Sequence, residues 1–220
     1  MTSKDRVSTA NDNYLSTINQ ELSSKGITPT DAELLLRAYK TEEILETWVK
    51  SKKETNWKLL KIFPFCINSG LPGPKRKEGD LQIPEGLYHV NRFNPKSKFY
   101  LSLGINYPNN SDLKLSDSKH PGSDIFLHGG CQSVGCIAIQ NEGIEYLYVL
   151  AGKAKANGQQ QIPVRIFPCK MNSPNLDRLT FSYKEHLSFW KNLKIEDQYF
   201  EENKKLLSFS VNKDGAYLFQ

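Results

Sequence analysis

No run of about 18 consecutive apolar residues occurs in the chain, so no helix of it is expected to span a membrane. The N-terminus, Met1-Thr-Ser-Lys-Asp-Arg-Val7, lacks the apolar centre of a signal peptide. Two expectations arise: a cytosolic protein, or a mature form whose signal was removed and replaced by a start methionine. A basic stripe with interleaved aromatics is also missing. The net charge of +5 is spread along the chain apart from Lys75-Arg76-Lys77, so nucleic acid is not an expected partner. A mild positive charge suits anionic polymers or surfaces. There is no internal repeat and no low-complexity tract. Cysteine is limited to 4 residues, a number that fits both a reducing and an oxidising compartment.

What is present suits a soluble domain of 220 residues, either single or with a small appendage. Charged residues make up 24%, and 11 Phe, 10 Tyr and 3 Trp can build a substantial core. The first dozen or so residues read as polar and frayed. Leu15, Ile18 and Leu22 have helical spacing, and Thr30-Asp31 reads as the cap of a second helix over Ala32–Tyr39. Ile44–Lys50 and Trp57–Phe65 read as a hairpin, and residues 69–87, rich in Gly and Pro, as a long loop. A loop that long is expected to be functional or disordered. Strands are expected at Leu87–Arg92 and Phe99–Leu103. Asn141 is placed to cap a helix that Gly158 ends. A strand is expected next over Ile162–Pro168. A helix around His186–Leu193 and another over Glu196–Leu206 precede a hairpin, Leu207–Val211 with Ala216–Phe219. The class is α+β, a sheet-rich centre with helices at both ends.

The chemistry concentrates in Ser123–Ile139. Between two apolar runs, Ile125-Phe-Leu127 and Ile137-Ala-Ile139, this stretch gathers His128, Cys131, Ser133 and Cys136 with Gly129, Gly130 and Gly135. A cysteine nucleophile needs a base to form its thiolate and donors aimed at a developing oxyanion. A tight return could bring His128 to Cys136, with Ser133 and the amides of Gly135 and Cys136 as donors. Other readings stay open beside this one. Cys136 could be core, and Cys131 could pair with Cys136. His120, His128, Cys131 and Cys136 could hold zinc, although they lack the paired C-x2-C knuckle of ordinary structural sites. Cys66 and Cys169, each ending a strand-like run, could pair if those strands are neighbours.

His128-Gly-Gly-Cys-Gln-Ser-Val-Gly-Cys136 resembles the active-site signature of the L,D-transpeptidase (YkuD-like) family, in its YafK-like murein branch. Gly79–Tyr88, Asn94–Phe99, Leu101–Asn109, Pro163–Pro168 and Phe189-Trp190 are also similar, so the resemblance spans roughly residues 40–200. It implies an L,D-transpeptidase-like β-sandwich or barrel core with flanking N- and C-terminal helices. The expected division is residues 1–40 as an N-terminal helical segment and 41–220 as the catalytic domain with a C-terminal helical extension.

The resemblance further implies Cys136 as nucleophile, His128 as base, the Gly129 carbonyl as its orienter, and Ser133 with the Gly135 and Cys136 amides at the oxyanion. Val134 stands where the family has a second histidine, and no arginine follows Cys136-Ile137. Cys131, close to Cys136, suggests redox control. The implied reaction is acyl transfer on peptidoglycan stem peptides through a thioester, with no cofactor and no metal. The alternatives are a hydrolytic carboxypeptidase, endopeptidase or amidase, or a non-catalytic wall-binding module. Such a substrate implies a periplasmic or envelope location and a removed signal peptide.

Tyr107, before Pro108, is expected to line the substrate groove or to pack in a turn. Arg92 and Lys75–Lys77 could meet substrate carboxylates or be solvated surface charge. Phe189 and Trp190 are expected in the core. His89 and His186 carry no functional signal, and the sequence carries no reading of oligomeric state.

Overall fold

A computed structural model describes residues 5–220; residues 1–4, part of the N-terminus expected to fray, lie outside the described residues. From Arg6 on, the fraying expected of the first dozen or so residues is not observed: helix α1 (Arg6–Ser24) begins well ahead of Leu15, because Asp5 caps it, accepting a hydrogen bond from the Val7 N–H at 3.1 Å. Its buried residues Ala10, Ile18 and Leu22 recur at multiples of four and lay one stripe on the core. No described helix is long and apolar enough to cross a membrane.

The strands are β1 (Ala32–Tyr39), β2 (Ile44–Ser51), β3 (Lys58–Pro64), β4 (Gly86–Asn94), β5 (Ser102–Ile105), β6 (Phe126–His128), β7 (Ile137–Ala138) and β8 (Pro163–Phe167). They form one 8-stranded sheet in the order β3-β2-β1-β8-β4-β5-β6-β7. The pairs β1–β8 and β6–β7 are parallel, and the others are antiparallel. The end strands of this order approach each other. Cys66 N–H donates to the Ala138 carbonyl at 2.7 Å, and Ile67 bridges Ala138, so the sheet curls toward closure next to β7.

The helix expected over Ala32–Tyr39 is strand β1. Its leucines are good helix formers, but the strand lies inside the sheet between β2 and β8 and is buried on both faces. Apart from Glu33 and the ion-paired Arg37 the run is apolar, and tertiary context overrides its local preference. Leu34 and Leu36 join the main core with α1 and helix α3 (Gln140–Ala156), while Leu35 faces a separate cluster with Trp48, Trp57 and Phe200.

The strand expected at Phe99–Leu103 begins later, at Ser102, after Tyr100 takes a left-handed φ of 75°. A short helix, α2 (Asp112–Leu115), comes after β5. Past β8 the chain forms α4 (Pro174–Ser182), a helix outside the sequence expectations that starts on a proline, then a 3₁₀ turn at Lys184–His186 and α5 (Leu187–Asn203). The two helices expected around His186–Leu193 and Glu196–Leu206 are this single α5, ended by Lys204 in the left-handed conformation. The hairpin β9 (Phe209–Val211) and β10 (Tyr217–Phe219) closes the chain as expected. Trp190 is fully buried and Phe189 partly so, both packed with Tyr39, Leu87 and Phe167 on the second face of the sheet.

Candidate active site

Side chains alternate along β6 and β7, and the register decides which share a face. Leu127 and Ile137 are Cα partners and both enter the core at 1% exposure. Phe126, His128 and Cys136, each one residue away, therefore face the other side. All three line one cavity of about 290 Å³ together with Phe99, Val134 and Asp124. The expected return of the chain thus brings His128 and Cys136 to one cavity.

The loop joining them is held from several directions. Gly130 N–H donates to Asn141 Oδ1 at 3.0 Å, so Asn141, expected as a helix cap, instead serves this loop; Ile139 occupies the cap position of α3. Gly129 is closely packed: a Cβ there would stand 2.6 Å from Asn141 Oδ1 and 2.9 Å from the Phe99 carbonyl. Cys131 is bonded to Cys66, which lies just past β3. The Cys66–Cys169 and Cys131–Cys136 pairings left open by the sequence are therefore not formed, and Cys131, bonded to Cys66, has no free thiol with which to control Cys136. Cys136 and Cys169 are free, and Cys169 is buried with its thiol pushed up to about 12, chiefly by desolvation. No group of His, Cys, Asp or Glu that could hold a metal exists among the described residues, so the zinc alternative has no donor set.

The His128 ring is buried at 1% exposure and tilted against Phe99 at 4.6 Å between centroids. Its Nδ1 lies 2.6 Å from the Gly129 carbonyl. A carbonyl only accepts, so Nδ1 carries the proton and Nε2 is the basic nitrogen. Burial lowers the imidazole pKa below its ordinary value, and the Gly129 carbonyl pulls the other way. Burial raises the Cys136 thiol; the Phe126 N–H, 3.4 Å from Sγ, and the Lys75 cation oppose the rise, while Asp124 adds to it. Both shifts favour the uncharged forms, thiol and imidazole.

Ser133 and the Cys136 amide do not point outward as the sequence led one to expect. Cys136 N–H donates to Ser133 Oγ at 2.9 Å, and the Ser133 hydroxyl donates to the Cys136 carbonyl at 2.7 Å. These groups satisfy each other and fix the turn. Gly135 N–H, one residue before the thiol, has no hydrogen-bond partner among the described residues, in common with the amides of Gln132, Ser133 and Val134 in the same loop.

Tyr107 lies in the packed position: it is 6% exposed, with its hydroxyl on the Pro121 carbonyl at 2.8 Å. Arg92 is exposed and held to Asp124 at 2.6 Å, at the cavity rim. Lys75 is buried and paired with Asp80 at 2.6 Å. Lys98, which sequence reasoning passes over, is exposed, lines the cavity and has no ion pair among the described residues. Asn141 and Phe99 also escape sequence reasoning as parts of the site; their only signal is position, one at the start of the helix after the motif and one at the end of Asn94–Phe99.

An α+β domain with a curled sheet, a free cysteine and a histidine in one cavity at the end of β6 and β7 defines the class. The L,D-transpeptidase catalytic domain matches residues 40–166, and the chain belongs to that family. It is 32% identical over 207 residues to the Escherichia coli (strain K12) protein YafK, a candidate L,D-transpeptidase, across 89% of this chain and 81% of that one. Among solved structures, the helical cell shape determining protein Pgp2 of Campylobacter jejuni shares the fold. Its TM-score is 0.50 at 20% identity, covering 82% of this chain and 73% of that one.

Proposed function

We propose that this protein is a cysteine acyltransferase acting on peptidoglycan stem peptides outside the cytosol. The observation that carries the reading is the free Cys136 thiol and the His128 imidazole lining one cavity, with Nδ1 fixed on the Gly129 carbonyl. The neutral pair makes His128 a general base rather than half of a resting ion pair. Cys136 Sγ–H gives its proton to Nε2 as sulfur attacks the peptide carbonyl, and the Gly135 N–H receives the developing oxyanion. The intermediate collapses, the leaving amine takes the proton from His128, and a thioester remains. An incoming amine, deprotonated by the same imidazole, attacks the thioester carbonyl; the C–N bond forms, the C–S bond breaks, and the proton returns from His128 to Cys136 Sγ. Lys98 supplies the unpaired cation of the cavity for a substrate carboxylate, in place of the arginine absent after Ile137. The Cys66–Cys131 disulfide supports an oxidising, extracytoplasmic compartment.

The test is mass spectrometry of the protein mixed with purified muropeptides. A thioester on Cys136 that persists until an amine is added is expected; one cleared by buffer alone makes the enzyme a hydrolase. Cys136→Ala should abolish turnover while retaining muropeptide binding, and unchanged turnover in this variant would sink the reading.

A further inference from the structure

A second cavity, of about 320 Å³, lies at the other end of the β4–β5 hairpin from Cys136. Leu87 and His89 of β4 pair with Arg165 and Pro163 of β8, and their shared face forms its floor. The turn after β5 and strand β9 form its walls. The catalytic cavity is reached at Asn94 and this one at His89, so about 17 Å of strand separates them. Its volume sits at the lower end of small-ligand pockets, roughly 300 to 1,000 Å³.

The chemistry of its lining selects the ligand. The one cation, Arg165, is already spent: Nε is 3.0 Å from Glu196, and a terminal nitrogen donates to the Tyr88 carbonyl at 3.2 Å. An anion would therefore meet a neutralised charge. The remaining polar groups are neutral. Asn110, Gln161 and the His89 ring make no side-chain hydrogen bond among the described residues, and Asn106 uses only Oδ1, accepting from the His89 N–H at 2.7 Å. Burial and the nearby Arg165 hold the His89 pKa below its ordinary value, which keeps the ring neutral near pH 7. Carboxamides and a neutral imidazole each donate and accept, which is what a row of hydroxyl or acetamido groups requires. Phe209, 37% exposed, adds an aromatic surface at the edge.

We propose that this cavity binds a neutral saccharide, one or two rings long, through Asn106, Asn110, Gln161 and His89, with Phe209 against an apolar sugar face. The site is independent of Cys136 and of the reaction assigned to it.

Titration of the isotope-labelled full chain with chitotriose, followed by amide and side-chain NMR shifts, tests the site. Saturable shifts are expected at His89, Asn110, Gln161 and Phe209, with inorganic phosphate leaving them unmoved. Gln161→Ala, at an exposed position, and Phe209→Ala should each weaken binding about tenfold. Cys136→Ala should bind as the native chain does, whatever its activity. The proposal is overturned if chitotriose gives no saturable shift there, if phosphate moves these residues and the sugar does not, or if both cavity variants bind undiminished.

Discussion

Gly135 is the residue on which the oxyanion argument turns. Its φ of +116° is strained for any L side chain, and a Cβ would stand 3.0 Å from the Gln82 carbonyl. Gly135→Ala should therefore cost about 1–3 kcal/mol of stability. It should also lower kcat by about 10²–10³ by shifting the amide proposed to meet the oxyanion. A thermal melt and steady-state kinetics measure the two effects separately; unchanged kcat would remove this amide from the mechanism. In the proposed mechanism the pH profile is set by His128. Its folded pKa is lowered, so the neutral base exists above that value and is lost as pH falls through it. The acid limb of kcat/KM should then have its midpoint below about 6.5, and a midpoint above that value would contradict a buried neutral imidazole. His128 and Cys136 were legible in the sequence because they are eight residues apart in one Gly-rich loop, and reactive types so close have few places to go. The inward turn of Ser133 was not legible, since one hydroxyl and one amide can satisfy each other as readily as they can face a substrate.

The elements around that loop act through closure of the sheet. Cys66 lies just past β3, at one end of the strand order, and Cys131 just past β6, next to the last strand at the other end, and the disulfide spans 65 residues of sequence. Cross-linking a loop of that length removes unfolded-state entropy equivalent to about 4 kcal/mol in the chain-entropy model. The same bond tethers the segment carrying Ser133 and Gly135. Cys66→Ser should lower the unfolding free energy by about 2–4 kcal/mol and reduce the rate of Cys136 acylation. Denaturant melts of the native and mutant chains, with thioester formation timed by mass spectrometry, check both, and an unaffected acylation rate would confine the bond to stability. Sequence could not supply this pairing because distance between cysteines is set by which strands meet. The same limit explains β1. The run Ala32–Tyr39 reads as a helix from its leucines, and only its place between β2 and β8 makes it a strand.

At the scale of the whole molecule, the matched family segment ends at residue 166, yet the sheet depends on the C-terminal helices beyond it. Helix α5 supplies carboxylates to buried cations of the sheet: Asp197 and Glu201 to Arg37, each at 2.5 Å, and Glu196 to Arg165 at 3.0 Å. It also sends Trp190 Nε1 to Glu85 at 2.7 Å. Glu85 in turn binds Lys40 and the Gly73 N–H, both at 2.9 Å, and so anchors the long loop whose Gln82 carbonyl lies beside Gly135. Breaking a buried ion pair from one side costs about 3–5 kcal/mol. Exposing Trp190, Leu193 and Phe200, or the surface they cover, adds about 1.5–3 kcal/mol each. Together these match or exceed the roughly 5–15 kcal/mol by which a domain is stable. A chain ending at His186 should therefore lack a cooperative thermal transition by circular dichroism. Asp197→Ala in the full chain should fold but melt several degrees lower. A shortened chain that melted cooperatively near the native temperature would mean that the first 186 residues fold alone, and that α5 is an attachment rather than a support for the sheet and for the loop held by Glu85.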